Sequence, residues 1–329
     1  MKPNSSPLFA AVDGGQTRSL GLLADSSGRV LATADAGPSN HLNEPGGPER
    51  LRSALHNSLF GALATAQRPP EDISQICLGM TGSPAPALDL VRQWFPGAEV
   101  TLVNDAVTAL AGAGLGRPGV VVIAGTGAIA YGEISPAHTA WSDGWGYLIG
   151  DEGSAYSLGV AALRAAVRAL DGRGPQTVLV QKILEHWRLA DWKAVHQSLY
   201  SGALSRPEIA SLAKVIHSAA LEEDTVSILL LEAAGDWLGK SAVAVLQQLD
   251  ALESRLPVFT AGGVFRAGNR VTDAMQRVLE RSGSNASVEP AKFAPIIGGL
   301  VLALRKAGIS IEGKVLEQLE DSGSTLKPK

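Results

Sequence analysis

The chain has 329 residues and a formal net charge of −4, with 45% hydrophobic and 18% charged residues. These values are typical of a globular protein with two domains, and without a basic stripe they argue against nucleic acid as a partner. Cys77 is the single cysteine, which excludes an intramolecular disulfide and any cysteine-rich zinc or iron–sulfur site made by one chain.

The first element is an apolar run at residues 8–12, which the turn Asp13-Gly14-Gly15-Gln16-Thr17 separates from a second apolar run at 20–23. This pattern predicts a strand, a turn and a strand. The first run is too short for the core of a signal peptide, and no later apolar stretch is long enough to span a bilayer. We therefore expect a cytoplasmic protein without a membrane partner.

Two further strands are predicted at residues 73–78 and 100–103, and a helix at 106–113 follows the pair Asn104-Asp105. After residue 119 the opening pattern returns. A buried strand at 120–124 leads into the turn Gly125-Thr126-Gly127, and a second strand follows.

This repeat predicts an α/β protein of two related lobes, residues 1–116 and 117–329, the second mostly helical beyond residue 154. Its predicted helices cover residues 155–170, 177–186, 208–218, 225–248, 269–281 and 295–306, and the tail from residue 321 is expected to fray.

Both glycine-rich turns are candidate phosphate sites. Glycines let backbone N–H groups approach a polyphosphate, Thr17 and Thr126 could donate to phosphate oxygens, and Asp13 could hold Mg²⁺ through water. Each turn taken alone also fits an ordinary hairpin. Because the same strand–turn–strand pattern occurs twice, we favour the interpretation that both turns bind one polyphosphate.

Asp105 is the candidate general base. A carboxylate at the carboxyl end of a strand is well placed to accept the proton of a substrate hydroxyl during phosphoryl transfer. Asn and Asp are also preferred at helix N-termini, so a capping role is the alternative.

Residues 143–154 form the densest site signal in the chain, with four glycines, two aromatic residues and three carboxylates before a helix. Carboxylates such as Asp151 can accept hydrogen bonds from sugar hydroxyls, although part of this segment also suits a helix cap. Asn40, His41 and Thr81 could contact a sugar from other loops. The turn Ala261-Gly262-Gly263 could pack against a flat nucleoside, or be an ordinary strand-to-helix turn.

In this order the segments resemble the N-acetylglucosamine kinase branch of the BadF/BadG/BcrA/BcrD ATPase family, from Asp13 to about Gly299. The most specific match is Gly144-Trp145-Gly146 followed by residues 150–156. The resemblance implies two ribonuclease-H-like lobes of the actin/hexokinase type, which close a central cleft on ATP–Mg²⁺ and an amino sugar, often in a homodimer. One departure is Gln16, where the family commonly has a third glycine.

The resemblance also implies a role for each matching position. Asp105 is similar to the catalytic base that deprotonates the 6-hydroxyl. The positions similar to the family's phosphate ligands lie in the two turns and are Gly14, Gly15, Gln16 and Thr17 in the first, and Gly125, Thr126 and Gly127 in the second. The positions similar to sugar ligands are Asn40, Thr81, Asp105, Gly144, Trp145 and Asp151, and those similar to the adenosine site are Ala261, Gly262 and Gly263.

The implied function is ATP-dependent phosphorylation of N-acetylglucosamine to its 6-phosphate. Three alternatives remain open at this point. The substrate could be glucosamine or another hexosamine, or the chain could be a sugar sensor without catalysis. It could also be an ATPase that activates a dehydratase, which would need two cysteines per chain for an iron–sulfur cluster, and Cys77 alone argues against that.

Overall fold

The computed structural model of the chain describes residues 6–15, 18–39, 42, 44–266 and 268–326. Within these ranges the chain forms two compact units. The first unit combines residues up to Arg117 with those from Pro290 onward, and the second unit is Pro118–Glu289.

The first unit contains a mixed five-stranded sheet of order β3-β2-β1-β4-β5. Its strands are β1 (Leu8–Gly14), β2 (Ser19–Asp25), β3 (Val30–Ala36), β4 (Ile73–Met80) and β5 (Glu99–Asn104). Strands β1, β2 and β3 are antiparallel neighbours, whereas β4 is parallel to both β1 and β5. The carboxyl ends of β1, β4 and β5 therefore lie at one edge of the sheet.

The second unit repeats this topology in a sheet of order β10-β9-β6-β7-β8. Its strands are β6 (Gly119–Ala124), β7 (Ala128–Ser135), β8 (His138–Asp143), β9 (Val258–Ala261) and β10 (Val288–Pro290). Again the first three are antiparallel neighbours and the fourth is parallel to the first. Two five-stranded sheets of matching order confirm the predicted α/β class and its duplicated, ribonuclease-H-like units.

The helices predicted at residues 106–113, 155–170, 177–186, 208–218, 225–248, 269–281 and 295–306 are all present, with bounds within three residues of those expected. The helices of the structure are α1 (Gly47–Ala66), α2 (Ala85–Trp94), α3 (Asp105–Gly114), α4 (Ala155–Leu170), α5 (Leu179–Trp187), α6 (Trp192–Tyr200), α7 (Arg206–Leu221), α8 (Thr225–Gln248), α9 (Asn269–Arg281), α10 (Pro295–Lys306) and α11 (Gly313–Thr325). Among the helices of the described residues, none is both long enough and apolar enough to cross a bilayer.

The C-terminal segment differs from the sequence-based division of the chain. The expected lobe boundary at residue 116 lies next to that of the first unit, but residues from Pro290 onward, assigned to the second lobe, pack within the first unit. The reason is hydrophobic: Ile297 and Leu300 of α10 are fully buried in one cluster with Ala11 of β1. Of the tail expected to fray from residue 321, residues 321–325 belong to α11, and Gly323 there is buried.

Local sequence patterns predicted the burial of Cys77 correctly but did not predict strand β8 or helix α6. Cys77 lies in β4 and is 1% exposed, as its apolar neighbours predicted. Strand β8 was not predicted because Ala140 is the single buried residue in it. Helix α6 was also missed, since only Val195 of that helix is buried and the apolar stripe is correspondingly thin.

Candidate functional site

The edge where β1, β4 and β5 end is the first candidate site. Gly14, Met80 and Asn104 are register partners across the three strands and close this edge. A Cβ on Gly14 would lie 2.8 Å from Ser39 Oγ and 2.9 Å from Met80 Cε, so a side chain has no room here. The glycine thus allows Ser39 to pack directly on the end of β1, with its N–H donating to the carbonyl oxygen of Gly15 at 3.2 Å.

Asp105 lies at this edge as the first residue of α3. Asn104, not Asp105, caps the helix, because its side chain accepts a 3.0 Å hydrogen bond from the N–H of Ala106. The carboxylate of Asp105 instead accepts a hydrogen bond of 2.8 Å from Thr81 Oγ1 at the end of β4. Burial raises the pKa of Asp105, and the Thr81 hydrogen bond acts in the opposite direction. The capping alternative therefore belongs to Asn104, which leaves the Asp105 carboxylate for another role.

Asp13 is the second carboxylate of this edge, near the end of β1. Its pKa is raised to about 6, first by burial and next by the charge of Asp105, while Arg18 lowers it. No described residue donates a hydrogen bond to its side chain. A buried carboxylate that is repelled by a second carboxylate is stabilised by a cation, because the positive charge offsets both effects.

The Asp13 and Asp105 pair therefore fits Mg²⁺, a hard cation that prefers oxygen ligands and commonly keeps several waters while one or two carboxylates hold it. Among the described residues there is no group of three or more His, Cys, Asp or Glu side chains that would form a dedicated metal cage. This donor set suits a metal ion that arrives with a phosphate ligand.

Several predicted site residues fall outside the described part of the chain. These are Gln16 and Thr17 of the first turn, and Asn40 and His41 of the following loop. Gly14 and Gly15 of the same turn are described and lie at the edge formed by β1, β4 and β5.

The turn Gly125-Thr126-Gly127 joins β6 to β7, in the second unit's equivalent of the β1–β2 connection. The Gly125 N–H donates to the Gly127 carbonyl oxygen at 2.9 Å, and the Gly125 carbonyl oxygen accepts from the N–H of Ala155 at 2.8 Å. The second bond ties the turn to the first residue of α4. The predicted phosphate turn therefore lies beside the N-terminus of α4, and helix N-termini favour anions.

The loop of residues 144–150 is closed at its base by Asp143. One carboxylate oxygen of Asp143 accepts hydrogen bonds from the N–H groups of Gly144 at 2.7 Å and Asp151 at 2.8 Å, and the other from that of Glu152 at 2.9 Å. Asp143 was not among the predicted site residues. Its contacts identify it as the residue that closes the loop.

Asp151 is 5% exposed and lies beneath this loop. Its Oδ1 accepts from the N–H of Ala128 at 3.1 Å, and its Oδ2 accepts from Arg206 Nη2 at 2.8 Å. A Cβ on Gly127 would lie 2.9 Å from Oδ2, so this glycine allows the carboxylate to approach the turn. Asp151 thus joins the loop, the Gly125-Thr126-Gly127 turn and α7.

The loop carries its apolar residues outward. Trp145 is 69% exposed, and Leu148 and Ile149 are 81% and 80% exposed. Sugars present apolar C–H faces as well as hydroxyls, and an exposed aromatic ring next to backbone N–H groups and a carboxylate is suited to both.

Ala261 is the last residue of β9, and in the turn that follows it Gly263 lines a pocket. Gly262 has φ of +105° and a Cβ there would lie 2.4 Å from the carbonyl oxygen of Ala124, so only glycine fits. Gly263, Leu158 and Lys214 are among the residues that line the adjoining pocket of about 290 Å³. Its small size and mixed lining fit a nucleoside.

Comparison with known proteins agrees with these features. The model of the BadF/BadG/BcrA/BcrD ATPase family matches residues 11–303. The chain belongs to this family. The match includes both glycine-rich turns, Asp105 and the loop closed by Asp143, so the resemblance seen in the sequence is confirmed.

Three similar proteins carry related names. The N-acetylmuramic acid/N-acetylglucosamine kinase of Clostridium acetobutylicum is 31% identical over 297 residues, which cover 89% of this chain and 96% of the relative. The N-acetyl-D-glucosamine kinase of Dictyostelium discoideum is 29% identical over 317 residues, or 91% of this chain and 98% of the relative. The solved structure of a provisional N-acetylglucosamine kinase from Chromobacterium violaceum has a TM-score of 0.72 and 29% identity, and covers 91% of this chain and 99% of that one.

Arg206 was not among the predicted site residues either. This residue opens α7, and the capping box of Ser205 and Glu208 was the local signal of a helix start. Its pairing with Asp151 spans 55 positions and depends on how α7 packs, which no local pattern shows.

Proposed function

We propose that the chain is an ATP-dependent sugar kinase that phosphorylates N-acetylglucosamine at its 6-hydroxyl. The observation that carries the proposal is the Asp105 carboxylate, which Thr81 orients at the carboxyl ends of β4 and β5 while Asn104 caps α3. A carboxylate in this setting can accept a hydroxyl proton, which is the role a sugar kinase needs. The names of the two relatives support an amino sugar as the acceptor.

In the proposed reaction Asp105 accepts the proton of the 6-hydroxyl as that oxygen bonds to the γ-phosphorus of ATP. The bond between the γ-phosphorus and the bridging oxygen breaks, and ADP leaves with its electron pair. When bound near Asp13, Mg²⁺ would neutralise the charge of the phosphates. The turns at Gly14-Gly15-Gln16-Thr17 and Gly125-Thr126-Gly127 would donate hydrogen bonds to the polyphosphate.

We assign substrate contacts to the remaining predicted residues. Asn40, Thr81, Asp105, Gly144, Trp145 and Asp151 would bind the sugar, and Ala261, Gly262 and Gly263 the adenosine. For Asp151, whose two oxygens already accept protein hydrogen bonds, each oxygen retains a second lone pair for a sugar hydroxyl. The exposed Trp145 would pack against the sugar ring.

A coupled assay of ADP release tests the proposal. The purified chain is incubated with ATP, MgCl₂ and, in turn, N-acetylglucosamine, glucosamine, N-acetylmannosamine, N-acetylmuramic acid and glucose. We expect the highest kcat/KM with N-acetylglucosamine, and ³¹P NMR should show a phosphomonoester on O6. ADP release that no sugar stimulates would overturn the kinase assignment, and sugar binding without turnover would indicate a sensor.

Two finer assignments go with this proposal. We propose a cytoplasmic enzyme, since ATP is abundant there, and a homodimer, as the resemblance to the family implies. Cell fractionation tests the first, and sedimentation equilibrium of the purified chain tests the second.

A further inference from the structure

We propose that Arg206 is a positioning residue for sugar binding, because it bridges Asp151 and Tyr147 and thereby holds the loop of residues 144–150 in its binding conformation. This inference rests on the proposed function, since it assigns a residue outside every predicted motif to the sugar site.

The first contact is a partly buried charge pair. Arg206 Nη2 lies 2.8 Å from Asp151 Oδ2, and the two side chains are 25% and 7% exposed. Breaking such a pair leaves one buried charge without its partner, which costs far more than the loss of a surface ion pair. Arg206 therefore helps to orient the Asp151 carboxylate and to keep it charged, together with the N–H of Ala128 on the other oxygen.

The second contact is with two aromatic rings. The Arg206 guanidinium lies 4.9 Å from the ring centroid of Tyr147 in the loop and 5.8 Å from that of Tyr156 in α4. The two rings contact each other edge to face at 5.2 Å. A planar guanidinium can stack on a ring while it donates to a carboxylate in its own plane, and a lysine ammonium cannot do both.

These contacts matter because the loop has little packing of its own. Its base is fixed by Asp143, but Leu148 and Ile149 at its tip are 81% and 80% exposed. An exposed loop with few buried apolar contacts opens at low free-energy cost. Arg206 contacts Tyr147, the residue directly before this tip. It therefore stabilises the part of the loop that has no hydrogen bond to Asp143.

Arg206 also controls the charge of Asp151. Burial raises the pKa of Asp151 and the nearby Asp143 raises it further, whereas the Ala128 N–H and Arg206 lower it. Glu152 is the remaining acidic group of residues 143–154, and the facing residues Tyr147 and Tyr156 are phenols. Without Arg206 the pKa of Asp151 rises, so its carboxylate is protonated at a higher pH and accepts sugar hydrogen bonds less well.

Three variants test the proposal. Arg206→Gln removes the charge, Arg206→Lys keeps the charge but not the planar stack, and Lys182→Gln is the matched control. Lys182 pairs with Glu222 at 2.7 Å at the other end of α7, away from Asp151. Isothermal titration calorimetry with N-acetylglucosamine in the absence of nucleotide gives Kd at pH 8, 7 and 6, and steady-state kinetics give kcat and KM for both substrates.

For Arg206→Gln we expect the sugar Kd and KM to rise about tenfold at pH 8, or about 1.4 kcal/mol of binding, with the KM for ATP within about twofold. Its Kd should rise further, relative to wild type, as the pH falls to 6. Arg206→Lys should weaken sugar binding without this added pH dependence, and Lys182→Gln should match wild type.

The possible failures are distinguishable. If wild type phosphorylates no hexosamine, the proposed function fails. If wild type is active and Arg206→Gln binds sugar within twofold of wild type at each pH, the positioning role alone is wrong. A fall in kcat with unchanged Kd for both Arg206 variants would indicate only a smaller folded fraction and would also overturn it. Should Arg206→Gln not fold, the sugar Kd of Arg206→Lys decides the question.

Discussion

Thr81 donates a hydrogen bond of 2.8 Å to Oδ2 of Asp105, and this bond links the ends of two neighbouring parallel strands. It fixes the orientation of the carboxylate and stabilises its charged form, while burial favours the neutral form. A general base needs both effects. It must be ionised at the working pH and still have a pKa high enough to accept a proton.

Asp105→Asn should reduce kcat by about 10²- to 10⁴-fold, since the amide keeps the shape of the side chain but cannot accept the hydroxyl proton. Nucleotide binding should be retained, because Asn104 continues to cap α3. The measurements are ADP release and the Kd of ATP by calorimetry. Asp89→Asn, an exposed carboxylate of α2, is the control and should match wild type. Near-normal turnover of Asp105→Asn would show that another group is the base.

Thr81→Val should move the acidic limb of the pH profile of kcat/KM to higher pH. The lost hydrogen bond stabilised the ionised carboxylate, so its removal raises the pKa of Asp105, and the base is lost earlier as the pH falls. Thr81→Ser retains the hydroxyl and should keep the wild-type profile. An unshifted limb in Thr81→Val would mean that this limb reports a different group.

The parts of the site that could be predicted are those carried by short chain segments. An apolar run followed by Asp13 or by Asn104-Asp105 places a carboxylate at the carboxyl end of a strand. The glycines of the turn at residues 125–127 signal a close backbone approach. In each case the residue and the element that positions it are adjacent in sequence, so local pattern and final geometry agree.

The parts that could not be predicted depend on contacts between distant segments. Arg206 meets Asp151 across 55 positions, and α10 returns to the first sheet after the whole second unit. Apolar periodicity predicts that α10 is buried but not against which sheet, because either sheet offers an apolar face. Asp143 was overlooked for a different reason, since its function is to accept three backbone N–H groups and the sequence shows only a carboxylate.

Gly298→Ala should destabilise the protein although alanine is the better helix former. Propensity alone favours alanine in α10 by roughly 0.5–1 kcal/mol. A Cβ at this position would lie 1.8 Å from the carbonyl oxygen of Thr108 in α3, so α3 and α10 must move apart. We expect a net loss of about 1–3 kcal/mol in the free energy of unfolding. Turnover should also fall, because α3 carries Asp105.

Urea denaturation measures this change, with Gly97→Ala as the control. A Cβ on Gly97 would meet no atom within 4 Å, so that variant should stay within about 0.5 kcal/mol of wild type. Equal or greater stability of Gly298→Ala would mean that the two helices do not pack through this contact.

Asp13→Asn should make the protein more stable and less active at once. The pKa of Asp13 is about 6 in the folded chain against 3.8 for the unperturbed group, so the folded state binds the proton more tightly. The free energy of unfolding therefore increases as the pH falls from about 6 to 3.8. Above pH 6 the ionised carboxylate lowers the free energy of unfolding by up to about 3 kcal/mol. Asparagine removes that cost at pH 7, and with it the negative charge that would hold Mg²⁺.

The decisive comparison for Asp13 is between thermal unfolding and turnover in the same buffers. Without magnesium and nucleotide, Asp13→Asn should unfold at a higher temperature than wild type at pH 8, and the difference should shrink as the pH falls toward 4, where wild type becomes protonated. Turnover with MgATP should fall by roughly 10²-fold or more, since a charge aimed at the phosphates is lost. The Asp89→Asn control should change neither quantity. A lower unfolding temperature at pH 8 would show that the Asp13 charge is already compensated within the folded chain, and the case for a cation at this edge would lose its electrostatic basis.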